Sequence, residues 1–225
     1  MNDNHLQILD SCSAWHTAYQ IQRDTVFCFH RLCADALGTA CTIRPVNDKS
    51  LEMKRNLFST LFVMATNSLG LAEEKVRFYA VVNHCLRALV TGCDNILDNE
   101  YKEVIPFDLS GEGFKFRSVL HIMTADAVLM QLVTEEIAAG RLTPEQAARL
   151  SHAVLAVLIP SGVEEHEEES HLLDREVMLP SQVIDVVLYR KTGLLFQAPL
   201  KLIEQMGDAS AENVFKPAEA LTDFG

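Results

Sequence analysis

EEKVRFYAVVNHCLRALVTGCDNILDNE, residues 73–100, reads as one long helix and sets the fold class. Glu73 and Glu74 place negative charge in the first turn, where it complements the helix dipole. Val76, Tyr79, Ala80, Leu86, Leu89, Val90 and Leu97 recur at helical spacing and form an apolar face. The helix is expected to end near Glu100.

The flanking sequence continues the pattern. A first helix is predicted from about His5 to Leu37, ending at Gly38, and a second from about Ser50 to Ser68, closed by Gly70. Pro106 to Gly113 reads as a loop, and Ser118 to Ala139 as a helix stopped by Gly140. Thr143-Pro144-Glu145-Gln146 opens another helix, with Thr143 as N-cap, Pro144 at the first helical position and Gln146 completing a capping box. Helices near 182–188 and 209–221 follow, with Pro180 and Pro199 as expected breaks or kinks. Strand-like alternation and fixed-period repeats are absent. The expectation is a single all-α domain over residues 1–225, a helical bundle long enough to surround a central apolar cavity.

Composition narrows the function. A net charge of −12 argues against nucleic acid and anionic membrane surfaces as partners, since both require clustered Lys and Arg. No run of about 20 apolar residues is free of charge, so no membrane span is expected. The N-terminus lacks a basic stretch followed by an apolar one, and the six cysteines show neither CxxC nor zinc spacing. Reduced thiols and a cytoplasmic location are the expectation. GxSxG, Walker A, GxGxxG and HExxH signatures are absent.

Asp94-Asn95-Ile96-Leu97-Asp98 places two carboxylates one turn apart on one face, at the C-terminal end of the helix where they oppose its dipole. Glu100 adds a third charge. The commonplace reading of such a pair is a solvated acidic helix end. A divalent cation is the alternative, because Mg²⁺ favours carboxylate oxygens and leaves positions for water and phosphate. Glu164 to His171 is the densest charge cluster. Its Glu168 and His171 form an ExxH pair, but di-iron bundles need two such pairs and no second one occurs.

Arg190-Lys191-Thr192-Gly193-Leu194-Leu195-Phe196 follows the aspartate motif by nearly 100 residues. The ordered pair resembles the trans-polyprenyl synthase family, where a DDxxD motif precedes a helix bearing KTGxLF. Ala125-Asp126-Ala127-Val128-Leu129 is similar to that family's GDALL stretch, and the resemblance spans roughly residues 50 to 225. It implies a class I isoprenoid synthase that ionises an allylic prenyl diphosphate with Mg²⁺. Asp94, Asn95 and Asp98 would hold the metal, and Asp94, Asp98 and Lys191 would be the catalytic groups. Lys191, Arg87, Lys54 and Arg55 would bind diphosphate, and Leu89, Val90, Thr192 and Phe196 would line the cavity. The resemblance also implies a homodimer.

The sequence departs from that family where a second substrate, isopentenyl diphosphate, would bind. The early GGKRxRP motif reads Glu52-Met53-Lys54-Arg55-Asn56-Leu57-Phe58, keeping only Lys54 and Arg55. Lys102-Glu103-Val104-Ile105 stands in place of the arginine pair expected after the aspartate motif, with Lys115 and Arg117 farther on. Arg87 occupies a position where the family often has His or Gln. The sequence therefore favours a terpene cyclase, with a prenyltransferase and a non-catalytic subunit as alternatives. The second aspartate-rich motif is not reached by Gly225, and weak or absent activity is the expectation for the chain as it stands.

Overall fold

The computed structural model describes residues 12–111, 113–174, 179, 189 and 192–224. Every regular element among them is a helix, as the periodicity requires; the nearest approach to a strand is a single antiparallel bridge between Ile43 and Phe107. The described chain packs as two compact units divided between Leu142 and Thr143.

The first unit holds α1 (Ser13–Leu37), the one-turn α2 (Asp48–Leu51), α3 (Met53–Ser68), α4 (Glu73–Leu97) and α5 (Phe114–Ala138). α4 packs on α5, α3 and α1, and α1 also packs on α3 and α5. Every residue from Phe78 to Leu86 is buried, so α4 is enclosed on all sides over that stretch and is the central helix of this bundle. The predicted apolar face survives in Val76, Tyr79, Ala80 and Leu86, whereas Leu97 at the helix end is exposed. Trp15 and Leu32 from α1 and Phe62 from α3 complete the core.

Gly92 lets α4 pack tightly against α5. A Cβ there would lie 2.7 Å from Ile122 Cγ1 and 2.8 Å from the Ser118 carbonyl oxygen. α5 is long and apolar enough to cross a membrane by length and composition alone. One face of it lies in the core through Ala125, Val128 and Leu132, while Phe116, Met123 and Met130 are exposed.

α4 stops at Leu97 rather than at Glu100. The Asp98 amide donates to the Asp94 carbonyl at 2.8 Å, and Asn99 adopts a left-handed φ of 55° that ends the helix. The segment beyond it runs back across the bundle. It is held by the Ile43–Phe107 bridge, by the Arg44 amide donating to the Pro106 carbonyl at 2.8 Å, and by the Asp108 amide donating to the Thr42 carbonyl at 2.8 Å.

The second unit contains α6 (Pro144–Asp174), α7 (Leu194–Met206) and α8 (Ala211–Phe224), with α7 packed on both others. The expected capping box is present: the Gln146 amide donates to Thr143 Oγ1 at 3.2 Å, and the Thr143 amide to Gln146 Oε1 at 2.9 Å. The charge-rich stretch from Glu164 to His171 is helical, within α6. α7 runs through Pro199 rather than breaking there, and ends at Gly207 with a left-handed φ of 78°. The residues expected to form a helix near 182–188, together with Pro180, lie outside the described residues.

Candidate functional site

Asp94 is half-buried in the last turn of α4, and Asp98 is exposed one turn later as its C-cap. Asn95 between them is buried, with both ends of its amide committed to the main chain of one residue. Its Nδ2 donates to the Lys102 carbonyl at 3.0 Å, and its Oδ1 accepts from the Lys102 amide at 2.8 Å. The residue that replaces an aspartate of the family pattern therefore clasps the segment leaving α4.

Among the described residues, no group of three or more His, Cys, Asp and Glu side chains is placed to hold a metal ion. Mg²⁺ keeps several waters and binds through one or two carboxylates plus substrate phosphates, so Asp94 and Asp98 fit a substrate-completed site.

Two turns toward the N-terminus, on the same face of α4 as Asp94, Arg87 lines a cavity of about 140 Å³. Arg55 of α3 lines it too, as do Arg44 and Lys49 from the stretch joining α1 to α3. Among the described residues, four cations thus share the wall with a single carboxylate, Glu103. The Arg87 guanidinium donates to Ser59 Oγ at 2.8 Å. Arg55 donates to the main-chain carbonyl of Glu103 at 2.6 Å, and Arg44 pairs with the Glu103 carboxylate. Burial, together with the like charge of Arg55, pulls the Arg87 pKa down to about 10. It therefore stays charged at neutral pH, at an energetic cost that an incoming anion relieves.

His84, one turn before Arg87, lines the same cavity and is held neutral by a chain of hydrogen bonds. Asn56 Nδ2 donates to the carbonyls of Ser50 and Glu52 at 2.8 and 3.0 Å. Its oxygen therefore accepts from Gln22 Nε2 at 3.1 Å. The second Gln22 hydrogen points to His84 Nε2 at 2.7 Å, so that nitrogen must accept and the proton sits on Nδ1. Burial first, and then the charge of Arg87, lower the His84 pKa to about 3. The network keeps one more cation out of a wall that already carries four.

The structure thus gathers Arg55 and Arg87, both named from the sequence, into one pocket. Lys54 is exposed and does not line it, and Leu89 and Val90 are half-buried outside its lining. Thr192 and Phe196 are half-buried in the second unit. Lys191 lies outside the described residues, as do the side chains of Glu168 and His171. Sequence reasoning missed Arg44, Lys49, His84 and Glu103. Only His84 carried a signal, its spacing of one helical turn from Arg87. All six cysteines are free thiols, and burial pushes Cys33 up to about 12.

No family model, no curated protein and no solved structure matches the chain.

Proposed function

We propose that this chain is a Mg²⁺-dependent class I isoprenoid synthase acting on prenyl diphosphates. The observation that carries this reading is the convergence of Arg55 and Arg87 on one cationic pocket, on the same face of α4 as Asp94. They lie in separate sequence segments, each expected to bind diphosphate, and the fold brings them to one place.

Size defines what enters. A cavity of about 140 Å³ is close to the ~150 Å³ space that accepts a benzene ring. That is room enough for a diphosphate headgroup. The guanidiniums supply planar, forked donors suited to phosphate oxygens. Ser59 orients Arg87, and neutral His84 offers no competing charge.

When bound, Mg²⁺ neutralises negative charge on a departing diphosphate. Asp94 and Asp98 would hold it, and Lys191 would add a further positive charge. Asn95 fixes the start of the loop that carries Glu103 into the pocket wall.

A second reading gains weight from the same pocket. The eroded GGKRxRP motif favours a cyclase that needs no second diphosphate. Arg44 and Lys49, recruited from outside that motif, restore positive charge around Arg55 and Arg87. A restored anion site away from the aspartate pair favours a prenyltransferase, which condenses an allylic diphosphate with isopentenyl diphosphate.

The test is product analysis by mass spectrometry. Full-length protein is incubated with farnesyl or geranylgeranyl diphosphate and Mg²⁺, with and without isopentenyl diphosphate. Elongated diphosphate that requires the acceptor supports the transferase, and cyclised hydrocarbon without it supports the cyclase. Absence of diphosphate release under every condition contradicts the enzymatic reading and leaves that of a non-catalytic subunit.

A further inference from the structure

We propose that Glu103 is an internal anion that occupies the cationic pocket until a phosphorylated ligand displaces it from Arg44. This rests on the reading of the pocket as a diphosphate site. Among the described residues, Glu103 is the single carboxylate in the lining. Its side chain takes Arg44 and its carbonyl takes Arg55, so it engages two of the three guanidiniums a ligand would use.

The pairing is weak enough to exchange. The Arg44 and Glu103 side chains retain 49% and 28% of their exposure, and ion pairs with such access to water contribute little. A diphosphate brings more charge and more acceptor oxygens, and wins the competition for Arg44. A rotation of the Glu103 side chain suffices to vacate the position. The main chain need not move, because it is anchored on both sides of Glu103. Lys102 is clasped by Asn95, and the Pro106 carbonyl accepts from the Arg44 amide. Glu103 so keeps neighbouring cations compensated in the empty protein and passes Arg44 to the ligand.

Calorimetric titration of the full chain with inorganic pyrophosphate tests this. Glu103→Gln keeps the shape and removes the charge, and is expected to bind roughly three- to tenfold more tightly than wild type. Arg44→Ala introduced into Glu103→Gln is expected to reverse that gain, because Arg44 has become a ligand group. Glu100→Gln makes the same charge change outside the pocket, and is expected to stay within about twofold of wild type. Should the glutamine variant unfold, Glu103→Asp, which withdraws the carboxylate by one methylene, is expected to show a smaller gain. Equal or weaker binding by both Glu103 variants while wild type binds overturns the displacement and leaves the anion pocket standing. So does a gain at Glu100→Gln that matches Glu103→Gln, or a double variant as tight as the single. Absence of pyrophosphate binding by every protein overturns the pocket itself.

Discussion

α4 carries both halves of the candidate site, and the fold enforces them to different degrees. Around Asn83 to Arg87 the helix is enclosed, and polar side chains are locked by partners from α1 and α3: Gln22, Asn56 and Ser59. At Asp94 and Asp98 the helix emerges, one carboxylate half-buried and the other exposed. The cationic half is organised by hydrogen bonds between helices, whereas the two carboxylates sit one turn apart at a helix end that opens toward solvent.

The sharpest way to break that comparison is Asp94→Ala. It is expected to lower Mg²⁺-dependent diphosphate release by roughly 10²- to 10³-fold with little change in melting temperature. A large loss of stability with activity per folded molecule retained would make Asp94 a structural residue.

pH separates the halves next. The His84 pKa is about 3 in the folded protein against 6.5 as the ordinary value. The unfolded chain therefore binds the additional proton, and stability falls as pH drops from 6.5 toward 3. His84 alone accounts for a loss of about 2 kcal/mol between pH 7.5 and 5.0. Urea unfolding of His84→Gln, whose amide oxygen can still accept from Gln22, is expected to show a smaller loss over this interval. An identical pH dependence in the two proteins would show that His84 titrates normally in the fold.

Gly92 lies between the two halves. Gly92→Ala pushes a methyl group against the Ser118 carbonyl at 2.8 Å. Overpacking of about 1–3 kcal/mol outweighs the gain in helix propensity of up to ~1 kcal/mol, for a net destabilisation in denaturant. Increased stability would mean that α4 and α5 separate without cost. Asn95→Ala removes two part-buried hydrogen bonds from a buried side chain and is expected to cost about 2 kcal/mol in denaturant. Asn95 acts on the pocket only through the loop that carries Glu103, so pyrophosphate affinity should change less than in Arg87→Met.

The helices were legible because each is dictated locally. The 3.6-residue spacing in 73–100 and the capping box at Thr143 and Gln146 need no distant partner. The pocket was legible only in part. Arg55 and Arg87 lie on long helices within recognisable patterns, but Arg44 and Lys49 reach them through a connection whose path is set by the Ile43–Phe107 bridge. Glu103 occupies a stretch where an arginine pair was expected, and its role depends on which cations it meets across the bundle. Asn95 looked like a metal ligand by its position between aspartates, and its bonds to Lys102 depend on the chain reversing after Asn99. Gly92 gave no signal, because its importance is the distance to another helix.

A crystal structure of the protein grown with isopentenyl diphosphate shows whether a diphosphate sits between Arg55 and Arg87. Phosphate density is expected within hydrogen-bonding distance of both guanidiniums, with the Glu103 carboxylate turned away from Arg44. An empty pocket with Glu103 still on Arg44 at a saturating concentration of ligand, or density bound elsewhere, would contradict it.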